Sequence, residues 1–127
     1  MNDNLYREEL MEIYKHPHNR GSMTNPSVSV VKDNPMCGDQ ISFQLLIKDG
    51  VIKDAKYNGS ACAVSIISSE TLLVALKDKT VGQAGKLSKD DILDLVNLNL
   101  TTSRVKCATL CLDALHEALQ TYEKTKQ

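Results

Sequence analysis

Four cysteines, at positions 37, 62, 107 and 111, and one aspartate are the residues of this 127-residue chain that invite chemistry. Cys37 stands in NPMCGDQIS, residues 34–42, followed by Gly38 and Asp39 and then by a strand pattern. In an extended segment residues i and i+2 point the same way, so the Cys37 thiol and the Asp39 carboxylate can serve one ion. Gly38 between them has no Cβ to obstruct a metal or a partner. Cys62 lies where a strand pattern gives way to a helical one, and Cys107 lies in the first turns of the last helical segment. A thiol near a helix N-terminus is favoured as thiolate, the form that binds metal or attacks sulfur. Cys62 fits this position best and Cys107 next. Three thiolates and one carboxylate make four donors, a set that suits tetrahedral Zn²⁺ or the terminal positions of a [2Fe–2S] cluster. There is no C-x-x-C pair. Spacing alone therefore also allows a plainer reading, in which the three are small buried hydrophobes. Cys111 shares an apolar stripe with Ala108 and Leu115 and belongs to the core.

The elements that must position these residues are legible in the periodicity. Residues 4–15, with Leu5, Leu10, Ile13 and Tyr14, read as a short amphipathic helix. Pro17, Gly21 and Pro26 punctuate the segment after it. SVSVVKDN alternates as a strand, and ISFQLLIKDG alternates more clearly, with Ile41, Phe43, Leu45 and Ile47 on one face. Asp49-Gly50 is a hairpin signal, because both positions tolerate positive φ. VIKDAKYNG returns as a third strand. From residue 62 the pattern turns helical, with Ser60 a plausible N-cap for CAVSIISSETLLVALKD. Ser88 and Asp91 form a capping-box-like pair ahead of the next helix. The last helix, roughly 102–124, carries Ala108, Cys111, Leu115, Ala118 and Tyr122 at spacings of 3 and 4, a stripe that should lie on the sheet. The expected fold is α+β: a small three-stranded antiparallel sheet packed with about four to five helices, in one domain over residues 1–127.

Composition narrows the function. Net charge is −1, which offers no general attraction to phosphate backbones, so no nucleic-acid partner is expected. The N-terminus MNDNLYREELMEIY has no apolar signal core, and the run LLVAL, residues 72–76, is far too short to span a bilayer. A cytoplasmic location is the default expectation, and there thiols stay reduced. Four cysteines then read as metal or sulfur chemistry rather than as disulfides.

Laid out in order, these segments resemble the iron–sulfur cluster assembly scaffold family, the U-type proteins. Tyr14, Pro17, Asn19 and Gly21 match its N-terminal Tyr-x-x-Pro-x-Asn-x-Gly segment, and NPMCGDQI matches its Asn-Pro-x-Cys-Gly-Asp signature. NGSACAVSIISSE and RVKCATLCLDAL are similar to its second and third cysteine segments. The resemblance covers nearly the whole chain. It implies a cluster or metal site made by Cys37, Asp39, Cys62 and Cys107, with Gly38 in support. It implies sulfur supplied as persulfide by a cysteine desulfurase, and delivery of the cluster to recipient apo-proteins. Two copies bridged by a cluster would be one assembly. The implied role is a scaffold or carrier, with a zinc-dependent sulfurtransferase as the alternative.

Two departures from the main scaffold branch bear on that choice. The position before the third cysteine, a His there, is Lys106 here, and LTTSRVK replaces a Leu-Pro-Pro-Val-Lys segment recognised by a chaperone. RVKCATL resembles instead a branch whose zinc-bound member accepts sulfur. Typical members of that branch carry an extra segment between the second and third cysteines, and the 45 positions from Cys62 to Cys107 are too few for it. Arg104 and Lys106 flank Cys107 with positive charge that favours its thiolate, and this marks Cys107 as the expected persulfide acceptor. His16, His18 and His116 are expected in surface or packing roles. Ser65, Ser68 and Ser69 are expected to serve close helix packing, since no acid or histidine accompanies them in the motif.

Overall fold

The computed structural model describes residues 3–34, 38–96 and 102–126. The chain runs α1 (Asp3–Lys15), β1 (Val28–Asn34), β2 (Asp39–Lys48), β3 (Val51–Asn58), α2 (Ala63–Leu76), α3 (Val81–Gly85), α4 (Lys89–Val96) and α5 (Thr102–Lys126). The strands form an antiparallel sheet in the order β1-β2-β3. Lys48 pairs with Val51 across a two-residue turn, and both turn residues have positive φ, 55° at Asp49 and 76° at Gly50. This is the geometry the Asp-Gly pair predicts.

Alternation on β2 decides which face is covered. Ile41, Phe43, Leu45 and Ile47 are buried, and their cross-strand neighbours include Tyr57 opposite Phe43 and Ala55 opposite Leu45. Helix α5 lies over β1 and β2, and α2 packs on α5 and β3. The α5 stripe is realised: Ala108, Cys111, Leu115 and Ala118 are buried. Helix α2 is buried on most of its circumference, since α1, α4, α5 and β3 all pack against it. Such a helix has no polar stripe to show, which is why its apolar residues follow no clean period.

Two details differ from the sequence reading. Cys62, not Ser60, is the N-cap of α2, with extended backbone at φ −73° and ψ 169°. The reason is tertiary: Ser60 is drawn into pairing with β2, its carbonyl accepting the Gln40 N–H at 2.8 Å. The short helix α3 is not among the expected elements, although Thr80 and Gln83 form a complete capping box at its start. The Ser88–Asp91 pair is realised, with Ser88 N donating to Asp91 Oδ2 at 2.8 Å and Asp91 N donating to Ser88 Oγ at 3.3 Å.

The N-terminal segment is tied to the rest by Asn19. Its backbone N and its Nδ2 donate to the two oxygens of buried Glu70 on α2, at 2.7 and 3.0 Å. Tyr57 N donates to Asn19 O and Gly21 N to Tyr57 O, so this segment covers the outer edge of β3. Arg20 completes the clamp, its Nη2 donating to Gly59 O at 2.7 Å, three residues before Cys62. Among the described residues no helix is long and apolar enough to cross a membrane.

Candidate metal centre

Three elements deliver one side chain each to a common point. Asp39 opens β2, Cys62 caps α2, and Cys107 lies on α5. A carboxylate oxygen of Asp39 and the Sγ atoms of Cys62 and Cys107 all lie within 4.8 Å of one another. A tetrahedral zinc site with Zn–S bonds of about 2.3 Å would set its sulfurs about 3.8 Å apart. From the 4.8 Å limit the two sulfurs need to close by no more than about 1 Å to embrace such an ion. The donor chemistry, two sulfurs and one oxygen, fits zinc or iron and does not fit a hard cation such as Mg²⁺.

Glycine makes the approach possible. Gly59 ends the β3 hairpin with φ +130°, and a Cβ on it would lie 2.1 Å from the Gln40 carbonyl oxygen. The chain after β3 thus lies directly on the start of β2 and carries Cys62 to Asp39. Gly59 lies in the segment that resembles the second cysteine motif, and its φ and close approach are the reason for a glycine there. Gly38 has φ +75°, so its left-handed backbone adds a second reason for glycine beside the expected freedom from obstruction.

Hydrogen bonds fix the cluster. Cys62 N donates to Asp39 Oδ1 at 3.1 Å, and Ser65 Oγ donates to Asp39 Oδ2 at 2.6 Å. Ser65 Oγ also lies 2.9 Å from the Cys107 carbonyl oxygen. Asp39 and Cys107 are buried, at 6% and 1% exposure, while Cys62 is only half-buried. The site therefore opens to solvent on the Cys62 side.

Of the other expected residues, Cys37 lies outside the described residues, as does the Arg104 side chain. Lys106 is exposed on α5 beside Cys107. Helix α5 begins at Thr102, so Cys107 sits beyond its first turn, and the helix-dipole argument, which fades within that turn, does not extend to it. Cys111 is fully buried, and burial pushes its thiol up to about 12, so it stays protonated and in the core. His16 and His18 line a separate cavity of about 280 Å³ with Ile13, Asn19, Glu70, Thr71 and Val74. His116 meets the Leu87 carbonyl at 3.1 Å, a packing role as expected. Ser65 is the site residue that sequence reasoning misses. Its type carries no signal, and only its contact with Asp39 reveals it.

Known proteins share both the sequence and the fold. The zinc-dependent sulfurtransferase SufU of Bacillus subtilis is 33% identical, over 92% of this chain and 90% of that protein. The iron–sulfur cluster assembly enzyme IscU of Drosophila melanogaster is 34% identical, over 97% of this chain and 81% of that protein. The iron–sulfur cluster assembly scaffold protein IscU of Haemophilus influenzae is 32% identical, over 96% of this chain and 98% of that one. Among solved structures, a NifU-like N-terminal protein from Brucella abortus superposes with a TM-score of 0.78 at 17% identity, covering 96% of each chain, and so shares the fold. A putative SUF-system scaffold from Fervidobacterium islandicum superposes with a TM-score of 0.73 at 23% identity, over 88% of this chain and 94% of that one. The sequence pattern of the NifU-like N-terminal domain matches residues 5–127, and the chain belongs to that family.

Proposed function

We propose that this protein is an iron–sulfur cluster assembly scaffold, holding a nascent cluster on Cys37, Asp39, Cys62 and Cys107 and passing it to apo-proteins. The observation that carries this reading is the meeting of one carboxylate and two thiols, from three separate elements, within 4.8 Å. Iron and sulfide are cargo here. A cargo site needs ligands strong enough to assemble and weak enough to release. Thiolates supply the first property, and the Asp39 oxygen, a hard donor for soft cluster iron, supplies the second.

Sulfur arrives as the persulfide of a cysteine desulfurase. The acceptor thiolate attacks the outer sulfur, the S–S bond breaks, and the desulfurase thiolate leaves. Cys107, beside Lys106, is the acceptor in this reading. At 1% exposure it must become accessible when the desulfurase docks. Each transferred sulfur then takes up two electrons from an external electron carrier to become sulfide. Reduced thiols are needed throughout, which supports a cytoplasmic setting.

A second reading, a zinc-dependent sulfurtransferase, is favoured by the similarity to SufU over 92% of the chain and by Lys106 before Cys107. Zinc on the same four residues would keep the thiols deprotonated at neutral pH. One experiment separates the two. The protein is purified without oxygen, its zinc and iron are measured, and iron, cysteine and a desulfurase are added. A visible charge-transfer spectrum that moves to an apo-ferredoxin supports the scaffold. Tightly held zinc, faster desulfurase turnover and no chromophore support the sulfurtransferase. Neither result would refute both. Size-exclusion chromatography of the loaded form tests whether two copies share a cluster.

A further inference from the structure

One hydroxyl touches all three clustered side chains or their backbone. Ser65 is fully buried at the third helical position of α2. A hydroxyl inside a helix commonly bonds back to the carbonyl four residues earlier. Thr71 does this with Ile67 at 2.8 Å and Thr109 with Val105 at 3.0 Å. At the third helical position the residue four earlier is Ala61, ahead of the N-cap, and Ser65 reaches across to other elements. Its Oγ is 2.6 Å from Asp39 Oδ2 and 2.9 Å from the Cys107 carbonyl oxygen, and it accepts from the Cys62 thiol at 3.7 Å. The hydroxyl has one proton for these acceptors. The 2.6 Å contact lies in the range of a charge-assisted O–H···O⁻ bond, so the carboxylate receives it.

Together with Cys62 N on Oδ1, this bond gives each oxygen of Asp39 a donor and fixes the carboxylate plane. We propose that Ser65 is the positioning residue of the metal centre, holding the Asp39 carboxylate in the orientation from which it ligates. The inference rests on the metal-binding reading above and adds to it a residue outside the ligand set. Ser65 is no ligand itself. It acts through Asp39, as partners of ligating groups do elsewhere, where their loss typically weakens metal binding about 10–100-fold.

Zinc affinity of the full chain, measured by competition with a chromophoric chelator, tests this. Ser65→Ala is expected to weaken zinc about 10–100-fold. In an Asp39→Ala background the same change is expected to cost less than about 3-fold, because its target is gone. Loss of the full factor in both backgrounds would overturn the proposal, since Ser65 would then act through general packing. Ser65→Ala is also expected to shift the ligand-field bands of the cobalt-substituted protein. Wild-type affinity with an unshifted cobalt spectrum would overturn it too. Ser65→Thr keeps the hydroxyl and should hold zinc within about 3-fold of wild type. If Ser65→Ala does not fold, this variant decides, and a tenfold loss in it overturns the assignment. A wild-type protein that binds neither zinc nor cobalt overturns the metal reading and this inference together. Tight wild-type binding that Ser65→Ala leaves unmoved overturns only the inference.

Discussion

The Asp39 carboxylate, on β2, accepts the backbone N–H of Cys62, the N-cap of α2, at 3.1 Å. A helix start usually satisfies its free N–H groups from within, through the side chain of the cap or of the third helical residue. Cys62 makes no side-chain cap bond. A strand residue far away in sequence takes over, and its negative charge suits the positive end of the helix dipole. The same carboxylate thus closes the helix and faces the thiols.

Asp39→Ala should therefore act twice. Loss of the cap should lower unfolding free energy by about 1 kcal/mol, read by urea denaturation of the metal-free protein. Loss of the oxygen donor should slow release of a preformed cluster to apo-ferredoxin, because the ligand most easily displaced from iron is gone. An unchanged transfer rate would count against a role for the carboxylate in release.

Gly59→Ala should be worse for the site than its distance from the thiols suggests. A Cβ at 2.1 Å from the Gln40 oxygen cannot be accommodated without moving backbone, and φ +130° is poor for any L-residue. We expect destabilisation of more than about 2 kcal/mol, among the larger single-residue effects. We also expect weaker zinc binding, as β2 and the Cys62 segment are pushed apart. Wild-type affinity in a variant that folds would show that this close approach does not set the site.

How far these relationships can be read in sequence depends on their range. The β2 face, the Asp49-Gly50 turn and the α5 stripe depend on local periodicity and turn chemistry, and all three are legible. The α2 cap is not legible, because Ser60 is the better cap by residue type and loses to pairing with Gln40. Asp39 is readable as a neighbour of Cys37. Its bonds to Cys62 and Ser65 span 23 and 26 residues, and no local pattern encodes them. Cys111 and Cys107 are the same residue type four apart and both are buried, and only Cys107 meets Asp39 and Cys62 among the described residues.

Ser68 provides a contrast with Ser65. It too is fully buried on α2, yet its Oγ has no hydrogen-bond partner among the described residues. An unsatisfied buried hydroxyl costs about 1–3 kcal/mol, and alanine removes it with little change of shape. Ser68→Ala should raise unfolding free energy by up to about 1 kcal/mol and leave zinc affinity alone. A drop in stability would mean that the hydroxyl has a partner.

Alkaline pH should reveal Cys111. Burial raises its thiol from 9.0 to about 12. Below about pH 8 the thiol is protonated in both folded and unfolded chains and contributes little to pH dependence. Between about 9 and 12 the unfolded chain gives up this proton and the folded chain keeps it, so stability falls as pH rises through that window. Tyr57 adds to the fall as the pH approaches and passes 10, since burial and then the Glu70 carboxylate raise its phenol from 10.0. From about pH 8 to 10 the Cys111 share of the fall outweighs that of Tyr57. There Cys111 alone should lower unfolding free energy by about 1 kcal/mol. Cys111→Ala should remove that part of the slope and add a packing penalty that is the same at every pH. Urea titrations of both metal-free proteins at about pH 8, 9 and 10 measure it. Parallel curves would mean that the Cys111 thiol ionises as readily folded as unfolded, which a place in the core does not permit.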